Sequence, residues 1–126
     1  MTKFKLFEDP IFEKSHLSMT YGIDDKAILG DLYSSYVSML KELMDVISHY
    51  AGGGTDAELE RIAFLSHKLK STSFSIGAIS LGNLLSDLET AAKDKNEHLG
   101  YLLRTFAIVS KDTLTSIEDY LANDLN

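Results

Sequence analysis

The only proline in the chain is Pro10, so everything from Ile11 onward lacks the residue that most reliably breaks a helix. Such a run favours long helices, and the apolar residues recur at helical spacing in four segments. The first spans about Asp25 to Tyr50, with Leu29, Leu32, Tyr33, Tyr36, Leu40, Leu43, Ile47 and Tyr50 at three- and four-residue steps. Asp24 or Asp25 supplies its N-cap, and Gly52-Gly53-Gly54 carries too much backbone freedom to continue it. The second opens on Thr55 with Glu58 three residues on, a capping-box pattern, and runs to about Ser75. Ile76-Gly77-Ala78 reads as a turn, with Gly77 free to adopt the left-handed conformation of a helix end. The third covers about Ala78 to Lys93, with Leu81, Leu84, Leu85, Leu88 and Ala92 on one face. Asn96 can cap the fourth, about Glu97 to Leu121, whose stripe is Leu99, Leu102, Leu103, Phe106, Ser110, Leu114, Ile117 and Leu121.

Upstream, Asp9-Pro10 reads as N-cap and first residue of a shorter helix ending near Gly22. No segment alternates as a strand would, and there is no internal repeat. The expected architecture is all-α: an antiparallel up-down four-helix bundle with a short additional N-terminal helix. It forms a single domain over 1–126, with 1–23 as N-terminal helix and lid and 24–126 as the bundle.

Composition then removes several classes of function. There is no cysteine, which rules out disulfides, thiolate metal sites and thiol nucleophiles and fits a reducing cytoplasm. A formal charge of −7 argues against nucleic acid or an anionic membrane as the main partner. No stretch is apolar enough to span a bilayer, and Met1-Thr2-Lys3-Phe4-Lys5 lacks the apolar core of a signal peptide. His16, His49 and His98 show no ligand spacing with carboxylates, so no metal is expected. Tyr33, Tyr36 and Tyr50 read as packing, and Asp119 and Asp124 as a solvated C-terminal face.

The second long helix carries a face that does not belong in a core. At about 100° per residue, Leu65, Ser66, Leu69, Ser73 and Ile76 cluster around Ile62 and form the buried stripe. Its two serines suit close helix contact, with hydroxyls bonded back to the preceding turn. His67 falls about 140° from that centre. Phe64, Lys70, Ser71 and Phe74 share its outer face, with Lys68 and Arg61 flanking it. Lys70 is one turn from His67, and Phe64 and Phe74 are expected to stand out from the surface nearby as a docking rim.

His67-Lys68-Leu69-Lys70-Ser71-Thr72-Ser73-Phe74-Ser75-Ile76-Gly77-Ala78, with Leu81 and Leu88-Glu89 beyond, resembles the signature of histidine-containing phosphotransfer (HPt) domains. Those domains carry His-x-Leu-Lys-Gly-Ser, then Leu-Gly-Ala, then Leu and a Leu-Glu pair at similar spacing. Ser71 stands where the family usually has glycine. Stand-alone phosphotransfer proteins of marine-bacterial quorum-sensing relays are similar there, with His-x-Leu-Lys-Ser-Ser.

The resemblance implies a phosphoryl carrier rather than an enzyme. His67 would accept the group from an aspartyl phosphate on a response-regulator receiver domain, or on a hybrid sensor kinase, and pass it on. An imidazole suits the task, because a pKa of about 6.5 leaves the neutral form dominant at pH 7. Its outward nitrogen is expected to be Nε2. Lys70 offers a cation to the phosphoryl oxygens and Ser71 a donor. Phe64, Phe74, Lys68 and Arg61 would meet the receiver, which brings the Mg²⁺, so the chain itself needs no cofactor. Gly77 is a turn glycine and Ser73 a close-contact serine. Glu89 orients either the imidazole or the active helix, or takes a solvated or capping role. The chain is expected to be a cytoplasmic monomer. Two rivals remain: an HPt-like bundle that binds a receiver or kinase as an adaptor without carrying phosphate, and a metal-dependent helical hydrolase.

Overall fold

A computed structural model describes residues 9–125. The chain is all-helical, with five helices packed together: α1 (His16–Tyr21), α2 (Lys26–Ala51), α3 (Asp56–Ile76), α4 (Ile79–Asp94) and α5 (Leu99–Asn123). α3 packs on α2 and α4, and α5 packs on the same two, so α2 to α5 close into a ring. α1 rests on α3. The Met1–Lys5 start lies outside the described residues.

The helix ends follow from local chemistry. Asp25 caps α2, its carboxylate accepting from the Ala27 and Ile28 amides at 2.9 and 3.1 Å. Thr55 and Glu58 form the full capping box of α3. Gly77 ends α3 with φ of 90°, and a Cβ there would lie 2.6 Å from the Glu13 carbonyl oxygen and 2.8 Å from the His16 Cβ. Glycine is required at this position by dihedral and by space alike. α5 begins at Leu99 because Asn96 spends its caps on a preceding turn, accepting from the amides of His98 and Leu99.

The stripes meet as the spacing predicts. Tyr33, Tyr36, Leu40 and Leu43 of α2, Ile62 and Leu69 of α3, Leu81, Leu84, Leu85 and Leu88 of α4, and Phe106 and Ile117 of α5 are fully buried. Leu32 departs from its stripe and is exposed.

The N-terminal expectation is corrected. Asp9-Pro10 does not open a helix; helix begins only at His16. Residues 9–15 instead form a strap across the α3–α4 turn. The Glu13 amide donates to the Gly77 carbonyl and the Ser80 amide to the Pro10 carbonyl, both at 2.9 Å. Asn83 donates to the Asp9 carboxylate at 2.8 Å. Ala78 offers α4 no side-chain cap, so the strap's backbone satisfies one of its first-turn amides. Phe12 completes an edge-to-face cluster with Tyr33 and Tyr120, at 5.5 and 5.7 Å between centroids. Lys14 pairs with Asp124 just past α5. These long-range bonds outcompete the local helix.

Candidate functional site

His67 lies midway along α3, and its side chain is 67% exposed. Its Nδ1 lies 2.9 Å from Oε2 of Glu89 on α4. Glu89 is buried, and two further groups donate to it: Lys70 Nζ to Oε1 at 3.0 Å and Lys93 Nζ to Oε2 at 2.8 Å. Burial alone would raise the Glu89 carboxyl. The bonds from Lys93 and Lys70, with the charges of Lys70 and His67, outweigh it and bring the carboxyl down to about 2. Glu89 is therefore ionised at neutral pH.

The protonation pattern of the imidazole follows. An ionised carboxylate can only accept, so Nδ1 carries the proton that points at Glu89. A neutral ring then has its lone pair on Nε2, which has no hydrogen-bond partner among the described residues. The arrangement is a nucleophilic nitrogen directed outward, with a fixed proton on the opposite nitrogen and a negative group behind it.

Why the chain builds this locally is a matter of register. His67 sits off the buried stripe of α3 on the side that faces α4, so a carboxylate on α4 can reach it across the seam. Ala63 and Ala92 line that seam and leave a groove of about 550 Å³, rimmed by Phe64, His67, Lys93 and Lys95.

The other expected residues divide. Lys70 is half-buried and joined to the site through Glu89 rather than standing free beside the ring. Ser71 and Lys68 are exposed on the outer face. Phe64 is 59% exposed, as projected. Phe74 does not stand out: it is half-buried, its ring lying over Gly82, where a Cβ would come within 2.7 Å. Arg61 is not brought to the site, since Glu42 of α2 holds it in an ion pair. Ser73 donates to the Leu69 carbonyl at 2.9 Å, which leaves the Tyr36 hydroxyl to donate to Ser73 at 2.6 Å. The Ser66 hydroxyl, expected to bond back in the same way, has no partner among the described residues.

Lys93 was not singled out by the sequence. Its signal was there, a Glu89–Lys93 pair at i, i+4 spacing. His49 bonds Glu58 at 2.6 Å, joining the end of α2 to the start of α3, and holds that carboxyl below its usual range. Among the described residues, no three His, Cys, Asp or Glu side chains gather into a group able to hold a metal ion. No helix there is long and apolar enough to cross a membrane. The chain matches no family model, no curated protein and no solved structure.

Proposed function

We propose that this chain is a histidine phosphotransfer protein of a two-component phosphorelay, carrying a phosphoryl group on His67 between receiver-domain aspartates. In this reading α2 to α5 form the antiparallel up-down four-helix bundle of such proteins. The observation that carries it is the exposed His67 ring, bonded at Nδ1 to an ionised Glu89.

The chemistry closes without a nucleotide. The Nε2 lone pair attacks phosphorus, and the bond from phosphorus to the aspartyl oxygen breaks with its electron pair left on the aspartate carboxylate. Nδ1 keeps its proton, so the ring becomes a cationic phosphoimidazolium, and Glu89 stabilises the positive charge that develops. Return transfer to a second aspartate reverses each step. Mg²⁺ belongs to the receiver, and this chain is a co-substrate without kinase activity. Ser71 and Lys68 offer a donor and a charge on the exposed face, and Phe64 offers apolar contact area. The partners are a response-regulator receiver and a hybrid sensor kinase, met transiently by a cytoplasmic monomer through an interface of about 1,200 Å² or less.

The test is transfer itself. The protein is mixed with a phosphorylated receiver and assayed for acid-labile, alkali-stable label. Wild type takes label, whereas His67→Gln folds normally and takes none. Label on that variant overturns the assignment. A wild type that binds the receiver but takes no label overturns transfer in favour of an adaptor.

A further inference from the structure

We propose that Lys93, on the last turn of α4, is a phosphoryl-binding cation of the His67 site, turning from Glu89 to the phosphoryl oxygens once Nε2 is loaded. The inference rests on the carrier reading and adds to it a residue outside the motif that suggested it.

The geometry places Lys93 closer to the chemistry than its position on another helix implies. One carboxylate oxygen, Glu89 Oε2, lies 2.9 Å from His67 Nδ1 and 2.8 Å from Lys93 Nζ, so ring and ammonium are immediate neighbours across it. Lys93 and His67 also rim the same groove between α3 and α4, a groove that Lys70 does not line. Lys93 is free to move there, its side chain being 60% exposed against 27% for Lys70.

The charge count points the same way. Two ammonium groups converge on the single carboxylate of Glu89. With a neutral imidazole, the cluster holds one positive charge in excess, on a chain whose formal charge is −7. A surplus cation beside an exposed nucleophile is the counter-charge that a phosphoryl dianion requires. Lys95, the other cation on the rim, is already paired with Asp56 at 3.1 Å. A plain i, i+4 helix pair would account for Glu89 and Lys93 alone. It would not account for the second ammonium on the same carboxylate or for the groove that Lys93 shares with His67.

The step is a change of hydrogen-bond partner with no covalent bond broken. Lys93 Nζ leaves Oε2 and donates to the equatorial phosphoryl oxygens. Glu89 keeps Nδ1–H and Lys70.

The experiment needs no receiver. Wild type, His67→Gln, Lys93→Ala and Lys93→Arg are treated with phosphoramidate at mildly alkaline pH, where the label is stable, and the growth of the phosphohistidine signal is followed by ³¹P NMR. A nearby cation stabilises the dianion as it is loaded, so Lys93→Ala is expected to gain the signal about three- to tenfold more slowly than wild type, with Lys93→Arg close to wild type. Superimposed curves for wild type and Lys93→Ala overturn the inference and leave the carrier reading standing. An equal slowing in the alanine and arginine variants also overturns it, because packing rather than charge is then responsible. A wild type that takes no phosphoryl at His67 overturns the carrier reading and this inference together.

Discussion

The Nδ1 of His67 and the buried carboxylate of Glu89 face each other at 2.9 Å, across the seam between α3 and α4. That one bond sets the tautomer of the ring, directs its lone pair outward and fixes a negative charge behind it. Glu89 is thus a positioning residue, and its removal has consequences separable from loss of the fold.

Glu89→Gln is expected to slow phosphoryl acceptance at His67 by about tenfold or more, since the ring loses its fixed tautomer and the charge that stabilises its cationic product. The same change leaves Lys70 and Lys93 without their carboxylate and is expected to cost about 1–3 kcal/mol of stability. Stopped labelling time courses and denaturant unfolding measure the two effects. Labelling at the wild-type rate would reject the positioning role.

The acid limb of stability follows from the same group. Glu89 sits at about 2 in the folded chain against an ordinary 4.5, so the unfolded state binds its proton first as pH falls. Its contribution is whole above about 4.5 and is lost between there and about 2. The Tm difference between wild type and Glu89→Gln is therefore expected to hold from pH 7 to 5 and to shrink steadily below that. A difference that is constant down to pH 2.5 would contradict the lowered carboxyl.

Phe64 and Phe74 share a face but not an environment. Phe64→Ala is expected to leave the Tm within a few degrees of wild type, because its ring is 59% exposed. Phe74→Ala is expected to cost about 1–3 kcal/mol, because its ring covers Gly82. Equal losses would show that both rings serve the core. Against a receiver, the Phe64 change is expected to weaken binding the more.

Gly77 and Gly22 both have positive φ, at 90° and 68°. Alanine at Gly22 meets nothing within 4 Å, so only backbone strain of about 1 kcal/mol is expected. Alanine at Gly77 also collides with the strap, and a loss of at least about 2 kcal/mol is expected. Thermal unfolding of the two variants gives the ranking directly; Gly22→Ala as the worse of the pair would contradict the contact with Glu13.

Much of this was legible because helices report themselves locally. Thr55 and Glu58 declare a helix start three residues apart, and the stripe around Ile62 declares which way His67 must face. Whatever depends on partners distant in the chain was not legible. Asp9-Pro10 carries a helix-start signal, yet Asp9, Pro10 and Glu13 bond Asn83, Ser80 and Gly77, which no local rule anticipates. The outward face of α3 was right for Phe64 and wrong for Phe74, because a projection of one helix does not contain the glycine on the next that makes room for a ring. Arg61 drew the same error from Glu42. Sequence alone leaves Glu89 four roles, and Lys93 joins the site only once both helices are in place.

The strap ties the chain's first described residues to the corner where α3 turns into α4, and those helices hold the two halves of the His67–Glu89 pair. The corner that joins the two helices is therefore held from a point far upstream in sequence. Cutting the protein back to the start of α2 would remove the clasp on that corner, and a shortened version made for convenience would be a poor stand-in when the His67 site is assayed.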